Sequence, residues 1–161
     1  MRAGVRLGVD VGSVRIGVAA CDPAGMIATP VVTLRRGRGD LAELARLAAE
    51  RAAVEVVVGL PRTLAGREGR AAADAVAFAE RLAEALGSTP VRLVDERLST
   101  VGAQRDLRAS GVGSRRGRSV VDQAAAVIIL QSALDEERAT GIAPGRQVEA
   151  ATPGDDAKVE E

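Results

Sequence analysis

The sequence predicts an α/β protein built on a mixed five-stranded sheet with helices on both faces. Three observations lead to this fold class. Short runs near the N-terminus alternate apolar with polar or small residues and are joined by turn-forming residues. Continuous apolar runs follow, separated by segments with helical periodicity. The resulting order of three strands, then alternating helices and strands, is typical of an antiparallel meander followed by parallel crossover units.

The first three strands are predicted to form the meander. Residues 7–20, LGVDVGSVRIGVAA, read as two alternating strands around a turn made by Gly12 and Ser13. A third apolar run covers residues 27–34. Its Pro30 favours an edge strand, because proline has no backbone N–H to donate to a neighbouring strand.

The rest of the sheet is predicted to be parallel to the first strand. The valine-rich run at 54–58 is typical of a strand buried on both faces, and a fifth strand covers 91–94. Helices are predicted from an N-cap at Asp40, over 71–86, and from Val120 to about residue 137. Parallel strands place their carboxyl ends at one edge of the sheet, where ligands bind in open α/β folds.

Two further segments complete the chain. A short helix is predicted from Thr100 to about residue 109, followed by a flexible glycine–arginine loop over 111–118. Residues 1–138 are predicted to be one domain and residues 139–161 a disordered acidic tail, rich in Pro, Gly and Ala, with five acidic residues against two basic ones.

Composition excludes several classes of function. The chain has no His, so a Ser-His-Asp triad and His-ligated metal are excluded. Phe78 is its only aromatic residue, which argues against binders that stack bases on aromatic platforms. The single cysteine, Cys21, excludes an internal disulfide and fits a cytoplasmic protein. No run approaches the length of a membrane span, and the N-terminus lacks a signal-peptide pattern.

Asp10 is the anomaly of the first strand. It lies between Val9 and Val11, where a buried carboxylate is costly unless its charge is compensated. A bound cation, a helix N-terminus and a phosphate-binding turn are the alternatives.

Two other carboxylates are predicted to converge on Asp10. Glu96, beside Asp95, follows the fifth strand, and Asp122 lies in the first turn of the last helix. Three carboxylates without His or Cys suit Mg²⁺ or Mn²⁺, which could support phosphodiester hydrolysis. The simpler alternatives are a surface ion pair of Glu96 with Arg97 or another surface Arg, and a helix-dipole interaction for Asp122.

Arginines near the same edge are candidate phosphate contacts, because guanidinium forks hold phosphates well. The alternative is an ordinary solvated surface. The candidate nucleic-acid-binding residues are Arg15, Arg62, Arg67, Arg97, Arg115, Arg116 and Arg118.

Four motifs in this order and spacing resemble the YqgF/RuvX family of the ribonuclease H-like superfamily: GVDVGSVRIGVA at 8–19, VVGLPRTLAGREG at 57–69, VDERLST at 94–100 and DQAAAVIILQ at 122–131. The resemblance implies a ribonuclease H-like fold and a metal-dependent nuclease. It also implies that Asp10, Glu96 and Asp122 are the catalytic metal ligands. Members are linked to maturation of the 5′ end of 16S ribosomal RNA and to resolution of Holliday junctions.

The chain departs from the family pattern at two positions. Val14 stands where members often have Lys, which removes a basic contact beside the site. Ala125 stands where RuvC-type resolvases typically have a second Asp on the last helix, so the metal site has one carboxylate fewer and resolvase activity is less assured.

Two other functions remain open at the level of sequence. The strand–Asp–Gly–turn–strand motif also resembles the first phosphate loop of actin-like ATPases, but the chain has one copy and no room for a second domain. A non-catalytic RNA-binding assembly factor could keep the same fold. The choice between RNA and DNA, and between a monomer and a homodimer, is also left open.

Overall fold

We analysed a computed structural model that describes residues 1–61, 69–96 and 115–150, and for residues 115–119 the backbone only. Its elements are β1 (Arg6–Val11), β2 (Arg15–Cys21), β3 (Ala28–Arg35), α1 (Asp40–Glu50), β4 (Glu55–Leu60), α2 (Arg70–Leu86), β5 (Val91–Asp95), α3 (Arg115–Thr140) and β6 (Arg146–Val148).

The strands form one mixed sheet in the order β3-β2-β1-β4-β5-β6. β1, β2 and β3 are the antiparallel meander, β4 runs parallel to β1, and β5 runs parallel to β4. This confirms the predicted ribonuclease H-like fold class, with six strands instead of five. Two registers matter for the site: Asp10 pairs with Gly17 of β2, and Val9 pairs with Val58 of β4.

Helices cover both faces of the sheet, as predicted. On one face, Leu44 of α1 and Phe78 of α2 pack into a core that includes Leu7 and Val9 of β1. On the other face, α3 is the helix of the described residues that packs against the sheet, and it does so through an apolar stripe. All six residues of β1 are buried, because this strand lies in the middle of the sheet with a layer on each side.

α3 lies very close to the sheet because β1 offers it a glycine. A β-carbon on Gly8 would come within 2.6 Å of the Leu130 β-carbon and 2.9 Å of the Ala126 main-chain oxygen. Leu130 and Ala126 are fully buried. The small residue in β1 thus sets the distance between α3 and the strand that carries Asp10.

The prediction of disorder from residue 139 is wrong for the described part of the tail. α3 continues to Thr140, and β6 then pairs antiparallel with β5, with Val148 opposite Val91. The Pro and Gly residues on which the prediction of disorder is based instead let the chain pass very close to β5. Gly145 has φ +64°, and a β-carbon there would lie 1.9 Å from the Leu93 main-chain oxygen, so this position requires glycine. Residues 151–161 lie outside the described residues.

α3 also begins earlier than predicted. Its first residue is Arg115, so Arg115, Arg116 and Arg118 belong to a helix rather than to a flexible loop. The prediction gave too much weight to Gly117, because a single glycine inside a helix costs only about 1 kcal/mol and tertiary packing can offset it. The predicted helix at 100–109 and residues 111–114 lie outside the described residues.

A buried ionic network closes the end of the sheet opposite to Asp10. Arg6 Nη2 donates to Glu137 Oε2 of α3 at 3.2 Å, and both side chains are almost completely buried. Arg2 adds hydrogen bonds to Glu137 and an ion pair with Glu55 at 3.1 Å. Burial raises the pKa of Glu137, but hydrogen bonds from Arg2 and the charges of Arg2 and Arg6 lower it below the ordinary value overall.

None of the helices in the described residues is both long enough and apolar enough to cross a membrane.

Candidate active site

Asp10 lies at the centre of the sheet on the side covered by α3. It is two residues beyond Gly8, so both face α3 by the alternation of β1. Asp10 is only 1% exposed. Its position in a fully buried strand agrees with the depth that its apolar neighbours in the sequence predict.

Asp122 is placed beside Asp10 by contact between α3 and β2. A β-carbon on Gly17 would lie 2.0 Å from the Asp122 main-chain oxygen, so α3 presses directly on the sheet at this residue. Gly17 is the cross-strand partner of Asp10. The Asp122 backbone therefore lies over the residue next to Asp10, and Asp122 itself is 2% exposed.

Glu96 approaches Asp10 from the opposite side. It follows β5 directly, and its Oε1 lies 2.5 Å from the point where a β-carbon on Gly59 would be. Continuing the pairing of Val9 with Val58 by one residue puts Gly59 beside Asp10. Glu96 is 6% exposed, whereas its neighbour Asp95 is half-buried at the end of β5.

The three predicted carboxylate residues thus lie near one row of the sheet. Asp10 of β1 pairs with Gly17 of β2, Gly59 follows the Val58 partner of Val9 on β4, and neighbouring strands are about 4.8 Å apart. The two glycines leave room above the sheet, which Asp122 enters from α3 and Glu96 from the end of β5.

The Asp122 carboxylate is held by a cation from β2. Arg15 Nε donates to Asp122 Oδ2 at 2.8 Å, and the Asp122 side chain is 3% exposed whereas the Arg15 side chain is 29% exposed. The next residue of α3 is anchored as well, since Gln123 Nε2 donates to Thr33 Oγ1 of β3 at 3.1 Å. Both contacts fix the start of the described part of α3 on the β2–β3 side of Asp10.

The donor set fits a hard divalent cation in its chemistry, because it consists of buried carboxylate oxygens. The side chains are not, however, arranged as a finished site: within residues 1–61, 69–96 and 115–150, no three acidic or cysteine side chains are close enough to share a metal ion. Binding of Mg²⁺ or Mn²⁺ would require side-chain rearrangement, and the ion pair of Asp122 with Arg15 is one contact that such a rearrangement would affect.

The other predicted arginines are distributed as follows. Arg115, Arg116 and Arg118 lie in the first turn of α3, a few residues before Asp122. Arg62, Arg67 and Arg97 lie outside the described residues. Phe78, the only aromatic residue in the sequence, is buried, with the Arg36 guanidinium 5.2 Å from its ring centre. Bases therefore have no exposed aromatic ring to stack on, and recognition of nucleic acid must depend on charge and hydrogen bonds.

From the sequence we did not predict the glycines that make room for the site, or the buried ionic network at the opposite end of the sheet. Gly17 and Gly59 occur in strands, where glycine often marks a close approach of another chain segment, and this signal could have been used. Glu137 also had a signal. It follows Ala126, Leu130 and Ala133 at helical spacing, so it falls on the buried stripe of α3.

Comparisons with known proteins show the family of this chain. The model of the family described as "RuvX: Holliday junction resolvase" matches residues 4–136. A protein of Nocardioides sp. named "Putative pre-16S rRNA nuclease" is 61% identical over 154 residues, covering 92% of this chain and 99% of that protein. A protein of Streptomyces coelicolor with the same name is 59% identical over 152 residues, covering 92% and 90%.

A solved structure of Thermus thermophilus RuvC is a far more distant match. It has a TM-score of 0.47 and 15% identity, over 84% of this chain and 97% of that chain, which is too remote to bear on function. The family match and the close relatives cover the strands and the helix that carry Asp10, Glu96 and Asp122. The chain belongs to the RuvX family and is a nuclease.

Proposed function

We propose that this nuclease is divalent-metal dependent and that it processes the 5′ end of the precursor of 16S ribosomal RNA. The observation that carries the metal dependence is the buried row in which Asp10 lies between Gly17 and Gly59, with Asp122 and Glu96 entering from either side. Burying carboxylates is costly unless their charge is compensated, and a divalent cation is the compensation that we propose for this row. The substrate comes from the relatives, which carry the name of a pre-16S rRNA nuclease.

In this proposal Asp10, Glu96 and Asp122 hold Mg²⁺ or Mn²⁺. When bound, such an ion lowers the pKa of a coordinated water and neutralises charge on the phosphate. The chain itself supplies rigidity: Asp10 comes from the central strand, and α3 is fixed over Gly17 by direct contact. A site built on a strand and a packed helix holds its groups more precisely than one built on loops.

We assign substrate binding to positively charged side chains. The candidates are Arg15 at the site and Arg115, Arg116 and Arg118 at the start of α3, with Arg62, Arg67 and Arg97 from the sequence alone. Contacts of this kind position a phosphate backbone without reading its bases. Such a substrate implies a cytoplasmic site of action, where ribosomes are assembled.

Cleavage of four-way DNA junctions is the second candidate activity, since the matching family model carries the description of a Holliday junction resolvase. Ala125 weakens this candidate, because the position where RuvC-type resolvases typically have a second Asp carries a methyl group here and is fully buried.

The deciding experiment compares cleavage of a 5′-extended 16S precursor with cleavage of a four-way DNA junction, in Mg²⁺ and in EDTA. We expect wild-type protein to cut the RNA in Mg²⁺ only, and Asp10→Asn to be inactive while still folded. Asp135→Asn is the matched control, because Asp135 is an exposed aspartate on the same helix as Asp122. RNA binding without cleavage would favour the non-catalytic assembly factor, and cleavage of the junction alone would favour the resolvase.

A further inference from the structure

The ion pair of Arg15 with Asp122 lies at the entrance of the site. Arg15 is the first residue of β2 and directly follows the exposed turn residues Ser13 and Val14. Its main-chain oxygen accepts a hydrogen bond from Gly12 N at 2.9 Å, which closes the turn after β1. By the alternation of β2, Arg15 and Gly17 share the face toward α3. This face places the Arg15 side chain within reach of Asp122 on α3.

The two partners differ in how firmly they are held. Asp122 belongs to a buried helix face that presses on Gly17, so its position follows from main-chain packing. Arg15 is partly exposed and reaches Asp122 through Nε, at the end of a flexible stem. Of the two side chains, Arg15 is the one that reaches solvent, because it is 29% exposed whereas Asp122 is 3% exposed.

The charges of Arg15 and Asp122 indicate a role for this ion pair. A buried carboxylate is costly without a compensating cation, and Arg15 supplies one to Asp122 in the protein alone. A divalent cation bound to the Asp122 carboxylate would lie close to the Arg15 guanidinium, which is 2.8 Å from Oδ2, and the two positive charges would repel each other. The two cations therefore compete for Asp122.

We propose that Arg15 is an exchangeable counter-ion of the active site. It occupies Asp122 until a divalent cation binds there, and it then turns outward to contact a phosphate oxygen of the nucleic acid. This proposal rests on the proposed metal dependence. In this proposal Arg15 is a positioning residue that pairs first with Asp122 and then with a phosphate oxygen. Metal binding and substrate binding are thereby coupled through one side chain.

Calorimetric titration of Mn²⁺ into full-length wild-type protein and Arg15→Gln tests the first step. We expect the variant to bind Mn²⁺ at least about fivefold more tightly, the lower end of ordinary coupling between two ligands. The effect should vanish in an Asp122→Asn background, where Arg15 no longer has its carboxylate. Arg46→Gln is the matched control, since it removes the same charge from an exposed pair on α1.

Binding of a single-stranded RNA oligonucleotide in Ca²⁺, measured over a range of salt concentrations, tests the second step. We expect Arg15→Gln to weaken binding and to reduce the salt slope of log K by about 1, as for one lost phosphate contact. Arg15→Lys, which keeps the charge, should retain that slope, and Arg15→Met, which also removes the charge, replaces Arg15→Gln if the latter fails to fold.

The outcomes separate the two proposals. If Mn²⁺ binds the wild type and Arg15→Gln with equal affinity, or the variant more weakly, Arg15 is a fixed structural partner of Asp122 and the exchange is refuted while the metal site stands. If the salt slope of RNA binding is the same for the wild type and Arg15→Gln, the contact of Arg15 with a phosphate oxygen is refuted. Absence of Mn²⁺ binding to both proteins would overturn the exchange and the metal dependence together.

Discussion

The main-chain oxygen of Asp122 occupies the space that a side chain on Gly17 would need, 2.0 Å from the ideal position of a β-carbon. This contact joins the helix that carries one predicted site residue to the strand beside Asp10. It makes Gly17, like Gly8 in β1, a position that decides how closely α3 approaches the sheet.

Gly17→Ala should therefore displace α3 at Asp122. Because the obstructing atom belongs to the backbone, it cannot move aside cheaply, and we expect a loss of about 3 kcal/mol in the free energy of unfolding, at the upper end for overpacking. Urea denaturation measures this loss, and cleavage activity should fall with it.

Gly69→Ala is the control for that substitution. Gly69 precedes α2 and has φ −102°, and none of the described residues has an atom within 4 Å of an added β-carbon. The unfolding free energy of the Gly69→Ala variant should stay within about 0.5 kcal/mol of the wild-type value. If Gly17→Ala proved equally harmless, the close approach of α3 would not be a property of the folded protein.

Gly59→Ala should separate activity from stability. An added methyl group meets the Glu96 Oε1 atom and the Ile129 Cδ1 atom, each at 2.5 Å, and both are ends of flexible side chains. We expect a loss of only about 1–2 kcal/mol in unfolding free energy. Mn²⁺ affinity and cleavage should nevertheless fall at least about tenfold, because the carboxylate is displaced. Full activity in this variant would show that Glu96 is not a working ligand.

Glu137→Gln should destabilise the protein strongly at neutral pH. Arg6, 1% exposed, would lose its carboxylate partner, and breaking a buried ion pair costs about 3 kcal/mol or more. The exposed neighbour Glu136→Gln should have little effect, as expected for a surface substitution.

The same network predicts a pH dependence. The pKa of Glu137 is lowered from 4.5 in the folded protein, so its stabilisation is fully present above about pH 4.5 and is lost as the pH falls through the lowered pKa. The difference in unfolding free energy between wild type and Glu137→Gln should be greatest near pH 7 and shrink below pH 4.5. A difference independent of pH would mean that the charge of Glu137 contributes nothing.

Truncation should distinguish the two parts of the C-terminal segment. A chain ending at Ala150 keeps β6, so its melting temperature should match that of the full chain. A chain ending at Thr140 loses the buried Val148 and its pairing with Val91, and we expect a loss of about 2 kcal/mol. Equal melting temperatures for all three chains would show that β6 does not support the fold.

The sequence by itself determined the fold class and the candidate carboxylates. Alternation in β1 and β2, the continuous valines of β4 and the helical stripes are local patterns, and each follows from the period of its element. Asp10 stood out because a charge inside an apolar strand conflicts with its neighbours, whatever the rest of the chain does.

Only the tertiary structure decided which groups meet. The pairing of Arg15 with Asp122 spans 107 residues, and the contact of Arg6 with Glu137 spans 131, so no local period could reveal either. β6 was hidden for the same reason, because its Pro–Gly turn and three residues form a strand only against the exposed edge of β5. Local periodicity reports which face a residue takes, whereas partners over such distances are fixed by the packing of α3 and the register of the sheet.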